Sequence, residues 1–307
     1  MKREIWSGNV SADGVLHDPQ ERSPVSRGRK ELVLSMLRAT LGRANYERLQ
    51  FRRHVGYFPD LVRPRTFNEK VAYRKLYDVP PRASLMADKY AVREHVAARI
   101  GPRYLNEVLQ VVDDASALNF DSLPSMFAAR ANHGSAMNLL VVEKSRLDVG
   151  EARAKLGRFL GYRFGKLMNE EWYDSIPPRI VIESFLQDER YGVPLDLKCF
   201  AFHGRVEAIR VVDRFGGHGR HFYDRDWNPM ELEFRANPTG APLDRPKPLE
   251  EVVSIAETLS AGLNFVRVDL YCVNDRDIVF GELTLSPGAG WSPFRTRAHD
   301  EYLGSLW

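Results

Sequence analysis

Apolar and polar positions change rhythm about a third of the way along the chain. In "KELVLSMLRATLGRANYERLQFRRHVG" (residues 30–56) apolar residues recur every three or four positions and arginines fill the other face, which predicts an amphipathic helix. Such a helix packs its apolar stripe on a core and leaves the basic face in water; the same face also suits a membrane surface. "RTFNEKVAYRKLYD" (65–78) and "SLMADKYAVREHVAARIG" (84–101) predict two more helices. Thr66 or Asn68 is placed to cap the first and Ser84 the second, and Gly101 ends the second.

The helical spacing then gives way to short runs of apolar and β-branched residues broken by Gly, Asn and Asp. "MFAARA" (126–131), "NLLVVEK" (138–144), "RIVIESFL" (179–186), "DLKCFAFHG" (196–204) and "VEAIRVVDRF" (206–215) read as strands. A helix over 148–168 separates the second from the third. Another, "PLEEVVSIAETLSAGL" (248–263), precedes a terminal pair, "FVRVDLYCV" (265–273) and "IVFGELTL" (278–285), joined by the turn-like "NDRD". The pattern predicts an α+β fold with a helical first third. Residues 1–30 are polar and rich in Gly, Ser and Pro, and read as a flexible arm.

Composition narrows the function classes. Of 307 residues, 44% are hydrophobic and 28% charged, as in a soluble globular protein. A net charge of +3 is compatible with an anionic ligand and too weak to indicate nucleic acid. No run approaches the roughly 20 apolar residues of a membrane span, and the first 30 residues lack the apolar core of a signal peptide, so the expected location is cytoplasmic. Peripheral membrane contact stays open, and the oligomeric state is not legible. Cys199 and Cys272 both fall in strand-like runs without metal-ligand spacing and read as reduced core residues.

The candidate chemistry sits in the terminal pair of strands. Asp269 and Glu282 lie among apolar neighbours, where a carboxylate is costly unless it is paired or bound to a cation. An antiparallel hairpin would bring them side by side, where they repel unless a proton is shared or a divalent cation lies between them. Arg267 shares a strand face with Asp269. Two readings follow: a structural Arg–Asp pair with an edge glutamate, or a Mg²⁺ site with a phosphate held beside it. Elsewhere, "ARANHGSAMNLLVV" is a strand–loop–strand whose small polar loop offers backbone N–H groups to phosphates or is an ordinary hairpin. Asp196 and Lys198 share one strand face. Arg210 and Arg214 flank the start of a loop rich in Gly, Arg and His, over 214–224, suited to closing over an anionic acceptor or simply exposed to solvent.

The order "RANHGS", "IVIESF", "DLKCFAF", "VRVDLY…FGELTLSPGAG" resembles the ATP-grasp superfamily. The upstream "TFNEK…LYD…ADKYAVRE…IG" is similar to its TupA-like branch, so the resemblance covers about residues 60–295. It implies ATP gripped between two α+β lobes, a small lobe over 125–185 and a large lobe over 186–307, after a helical region over 31–124. By position, Glu183, Ser184 and Phe185 would meet the adenine, and Asp196 the ribose or a neighbouring lysine. Lys198 and Arg130 would serve the phosphates, with His133, Gly134 and Ser135 in the phosphate loop. Asp269 and Glu282 would hold Mg²⁺, Thr284 would occupy the third ligand position, and Arg267 would face the triphosphate. The family usually has lysine where Arg130 stands, and this branch has glycine where Ala136 stands. The implied activity is carboxylate–amine ligation through an acyl phosphate, joining small molecules such as an amino acid and a sugar acid in surface-polysaccharide or secondary-metabolite synthesis. Arg267, Lys198, Arg210 and Arg214 would then act on the reacting groups, and His133 would assist proton removal from the amine. A kinase or phosphotransferase and a non-catalytic nucleotide-binding scaffold are the alternatives.

Overall fold

The computed structural model describes residues 9–17, 28–213, 220–235, 240 and 242–307. Helix α1 (Gly28–Val55) is interrupted once, at Gly42, whose φ of 72° and ψ of 164° leave the helical region. Helix α2 (Phe67–Tyr77) starts on a capping box: the Thr66 hydroxyl accepts from the Glu69 N–H, and the Glu69 carboxylate accepts from the Thr66 N–H. Thr66 is therefore the cap, and Asn68 instead donates to Asp300 and to the Ser292 carbonyl.

The stretch over 84–101 forms two helices and not one: α3 (Ala83–Ala87) and α4 (Val92–Ile100). The Asp88 carboxylate accepts from the N–H groups of Tyr90 and Ala91, which breaks the helix and starts the next. Ser84 is not a cap; the residue before α3 is Arg82, at φ 60°. Gly101 ends α4 at φ 97°.

Two antiparallel sheets follow. The first has the order β1 (Val15–Leu16), β4 (Asn138–Val141), β3 (Phe127–Ala131), β5 (Ile180–Ser184), β2 (Val108–Val112). It thus recruits one pair of residues from the N-terminal arm and one strand from the segment before residue 125. Helices α5 (Val149–Leu160) and α6 (Phe164–Met168) accompany it, with Phe127, Leu139, Leu156, Phe159 and Ile182 in the core. The second sheet has the order β10 (Asp277–Thr284), β9 (Phe265–Val273), β6 (Leu195–Phe202), β7 (Arg205–Val212), β8 (Arg220–Tyr223). Its core packs Leu197, Val206 and Val268 against Val252 and Ala256 of α7 (Leu249–Ser260). Helix α8 (Arg297–Ser305) lies against α2. The fold is the mixed α+β class with a helical N-terminal region. Both cysteines are buried and free. Among the described residues no helix is long and apolar enough to cross a membrane.

Helix α2 is fastened to both ends of the β9–β10 hairpin by one side chain. Arg74 is 1% exposed and donates from Nη1 to the carbonyls of Phe265 (2.8 Å) and Leu285 (3.2 Å). Its guanidinium lies 4.2 Å from the centre of the Trp307 ring. Burial pushes its pKa down to about 10. Arg74→Met keeps the stem but removes the donors to both carbonyls. We expect it to lower the unfolding free energy by roughly 2–4 kcal/mol in urea titrations, because buried carbonyls lose a charged donor. An unchanged midpoint would show that the hairpin does not need this tie.

Candidate functional site

The β9–β10 hairpin sets Asp269 directly across from Glu282, and Arg267 across from Thr284. The register shifts between Phe280 and Glu282, leaving Gly281 as the extra residue of a bulge. A Cβ at Gly281 would stand 3.0 Å from the Asp269 carbonyl oxygen, so glycine is what lets the strands close here. On the other side of β9, Lys198 of β6 pairs with Asp269 and Asp196 with Tyr271. Three strands thus deliver carboxylates and cations to one patch.

The charges balance. Arg267 grips Asp269 with two nitrogens, at 2.6 and 2.7 Å, and reaches Glu282 at 3.2 Å. Lys198 lies 2.6 Å from Asp269 and 2.8 Å from Asp196. Lys89, from the break between α3 and α4, lies 3.4 Å from Glu282 and also donates to the Gly134 carbonyl. The Thr284 hydroxyl donates to Glu282 at 3.0 Å and accepts from Arg267 at 2.9 Å. Three carboxylates therefore face three cations, which is what makes their burial tolerable. Burial pushes the Asp269 carboxyl up, against the pull of Arg267 and Lys198. For Glu282 burial acts the same way, but Lys89, Arg267 and Lys198 outweigh it and hold the carboxyl well below the usual range.

These groups line a cavity of about 190 Å³ between the two sheets. Arg130 and Ser184 enter it from the first sheet, Gly134 and Ser135 from the β3–β4 loop, Phe185 from the connection, and Asp196, Lys198, Arg267, Asp269 and Glu282 from the second sheet. The structure thus gathers most of the positions singled out in the sequence. Glu183 does not line the cavity; Arg93 and Arg130 hold its carboxylate at 3.4 and 3.5 Å. His133 does not line it either: it is buried behind the loop, with Nδ1 3.3 Å from Asn132 Oδ1. Burial, and then Lys89, lower its pKa. Arg210 pairs with Lys198 across β6 and β7, but its guanidinium lies over Phe234, 4.6 Å from the ring centre, and burial pushes its pKa down to about 9. Arg214 and the loop over 214–219 lie outside the described residues. Thr284 lines a second cavity of about 500 Å³ that shares Ser135, Ala136, Arg267 and Glu282 with the first.

Among the charged and aromatic lining residues, two were not singled out from sequence. Lys89 stands in the "ADKYAVRE" segment, where Asp88 pins the break by accepting from Asn132 as well as from the local backbone. Tyr271 is two residues beyond Asp269 on β9, and Arg130 approaches its ring at 6.0 Å. The alternation of a strand was the available signal for Tyr271; for Lys89 there was only a charge inside an apparent helix.

Among the described residues there is no group of three or more His, Cys, Asp or Glu fit to hold a metal. The Asp269–Glu282 pair is an all-oxygen donor set of two carboxylates, which suits a hard cation that completes its shell with phosphates and water.

The loop between β3 and β4 turns through Ala136, which sits at φ 57°. An L-residue there is strained and glycine is not. Ala136→Gly is expected to raise the unfolding free energy by about 0.5–1 kcal/mol, the strain relief exceeding the added chain entropy. A lower denaturation midpoint would contradict this.

A family model described as TupA-like ATPgrasp matches residues 69–307. Among solved structures, D-alanine–D-alanine ligase from Helicobacter pylori is 15% identical, with 78% of this chain and 69% of that one covered and a TM-score of 0.45. D-alanine–D-alanine ligase from Bacillus anthracis, complexed with ATP, is 14% identical, with 67% and 55% covered and a TM-score of 0.39. L-amino acid ligase from Bacillus licheniformis is 14% identical, with 73% and 47% covered and a TM-score of 0.40. The chain spans about half the length of the first of these matching structures, 54–56%. No curated protein matches. With a family match that runs from α2 to the last residue and takes in the whole charged cavity, the chain belongs to the TupA-like ATP-grasp family.

Proposed function

We propose that this protein is an ATP-dependent carboxylate–amine ligase. The observation that carries the reading is the pair of a buried Asp269 and a half-buried Glu282, held by Arg267, Lys198 and Lys89 in a cavity between two sheets of an ATP-grasp family member. In this state protein cations neutralise the two carboxylates. A metal–nucleotide complex would do the same, and would free lysine and arginine to face phosphate oxygens.

The residues divide the task as follows. Main-chain groups of Ser184 and Phe185 meet the adenine at the connection between the sheets. Lys198 and Arg130 face the phosphates, Arg130 in place of the family's usual lysine. The backbone of Gly134 and Ser135 approaches the phosphate chain; at Gly134 a Cβ would stand 2.3 Å from the Met137 Cε. Asp269 and Glu282, with Thr284 beside them, would hold Mg²⁺, whose charge would offset that of the phosphates. Arg267 and Lys89 position and stabilise the terminal phosphate.

In the reaction, a substrate carboxylate oxygen takes the γ-phosphoryl group, giving an acyl phosphate and ADP. The amine nitrogen then forms a bond to the acyl carbon, the phosphate leaves with the C–O bonding pair, and the nitrogen loses a proton. The products are an amide, ADP and inorganic phosphate. No protein nucleophile is required. The carboxylate substrate we favour is a sugar acid of a surface-polysaccharide or secondary-metabolite pathway, in the cytoplasm where ATP is supplied. That assignment rests on the branch resemblance.

ADP release, measured over uronic acids crossed with amines, should require both substrates and be matched by an amide in the mass spectrum. ADP formed with a phosphorylated product and no amide would instead mark a phosphotransferase. Asp269→Asn should lower ADP release by roughly 10²–10³-fold, the scale of losing preorganised charge at a phosphoryl-transfer site. Turnover near that of the natural protein in this variant would contradict the metal assignment.

A further inference from the structure

The second cavity, of about 500 Å³, is large enough for a ring-bearing small molecule. One wall comes from α1, through Glu31, Tyr46 and Gln50, all upstream of residue 69 where the family match begins. The floor comes from the α6 region and from the turn after β10. Because Arg267 and Glu282 line both cavities, a molecule seated here adjoins the candidate phosphate and metal groups.

The lining has a definite chemistry. Tyr46, Tyr162, Phe164, Tyr173 and Trp291 give it an aromatic surface. The polar ends of two of these rings are already engaged: the Tyr46 hydroxyl donates to the Leu167 carbonyl at 2.9 Å, and the Trp291 Nε1 donates to Glu47 at 2.7 Å. They therefore offer carbon surface rather than hydrogen bonds. The charged groups are unevenly placed. Glu170 is 4% exposed. Lys75, whose charge acts on it, is already paired with Glu47 at 2.8 Å, with both side chains fully buried. Glu31 also faces the cavity, and its Oε1 is buried without a hydrogen-bond partner. Of the lining cations, Arg267 is consumed by Asp269 and Glu282, while Arg53 and His54 are exposed on the last turn of α1. Among the described residues, Glu170 and Glu31 thus face the cavity without a close ion pair of their own. Burial pushes the Glu170 carboxyl up to about 7, against the pull of Lys75 and of a hydrogen bond with Ser286, and burial raises that of Glu31.

We propose that this cavity binds the amine substrate as its ammonium, a primary amine on a flat or apolar body without a carboxylate of its own, with Glu170 and Glu31 receiving the charge and Tyr46 and Tyr162 the body. An acidic amino acid would bring its carboxylates against Glu170 and Glu31 and be rejected. As a substrate assignment this rests on the ligase reading; as a binding site it does not, since no nucleotide is needed to fill it.

The test is a calorimetric titration of the full chain near neutral pH, without nucleotide, using tyramine and aspartate as probes. Tyramine should bind and aspartate should bind at least about tenfold more weakly. Glu170→Gln, which keeps the shape and removes the charge, should weaken tyramine by about tenfold, and Glu31→Gln should weaken it in the same direction. Absence of tyramine binding, aspartate binding as tight as tyramine, or unchanged tyramine affinity in Glu170→Gln would overturn the proposal. If Glu170→Gln does not fold, Glu31→Gln decides: unchanged affinity overturns the proposal, weakened affinity supports it. A parallel titration with Mg²⁺–ATP separates the two claims. Tyramine binding without nucleotide binding would sink the ligase reading and leave the amine site standing; the reverse would sink the amine site alone.

Discussion

The structure depends on holding two buried carboxylates and one half-buried one on adjacent strands without leaving any of them alone. Asp196 and Asp269 would each cost several kcal/mol as isolated buried charges, and the half-buried Glu282 less. Lys198, Arg267 and Lys89 remove that cost, and they come from three separate parts of the chain: β6, β9 and the break between α3 and α4. Satisfying them requires the β6–β9–β10 register, the Gly281 bulge and the Asp88 turn to be right together. A cluster so arranged is also poised for exchange. Every cation in it is a donor suited to phosphate, and both carboxylates of the hairpin suit a hard metal, so one ligand complex can replace the internal pairing without stranding a charge.

The helical region is part of the same construction. Arg74 ties α2 to both ends of the hairpin, and Lys89 crosses to Glu282. Asn132 links the α3–α4 break to the β3–β4 loop by donating to Asp88 and to the Pro177 carbonyl. Helix α1 lies wholly upstream of the family match and walls one side of the larger cavity. The larger cavity is thus walled partly by sequence upstream of the family match and partly, through Tyr162, Glu170 and Trp291, by sequence within it.

Much of this was legible from residue order. The hairpin, the facing of Asp269 and Glu282, the shared face of Arg267 and Asp269, the Thr66 cap and the Gly101 stop all follow from strand alternation, turn chemistry and capping rules acting over a few residues. What was not legible depends on tertiary partners. The helix over 84–101 breaks because Asp88 finds Asn132, 44 positions away. Strand β2 is half-buried along its whole length, so it lacks the alternation that marks a strand. His133 turns behind its loop, Glu183 is taken by two arginines, and Arg210 settles over Phe234. Side-chain direction in each case is decided by neighbours distant in sequence. The acidic lining of the larger cavity was also invisible, since Glu31 and Glu170 lie in segments read only as an amphipathic helix and a connection.

The central claim is that the Asp269–Glu282 cluster trades its internal cations for a metal–nucleotide complex. Calorimetric titration with ATP, in the presence and absence of Mg²⁺, tests it most directly. The account predicts tight binding with the metal and affinity at least about tenfold weaker without it, since phosphates that drew off the cluster's cations would leave two carboxylates uncompensated. Equal affinity in the two titrations, or no binding in either, would contradict it.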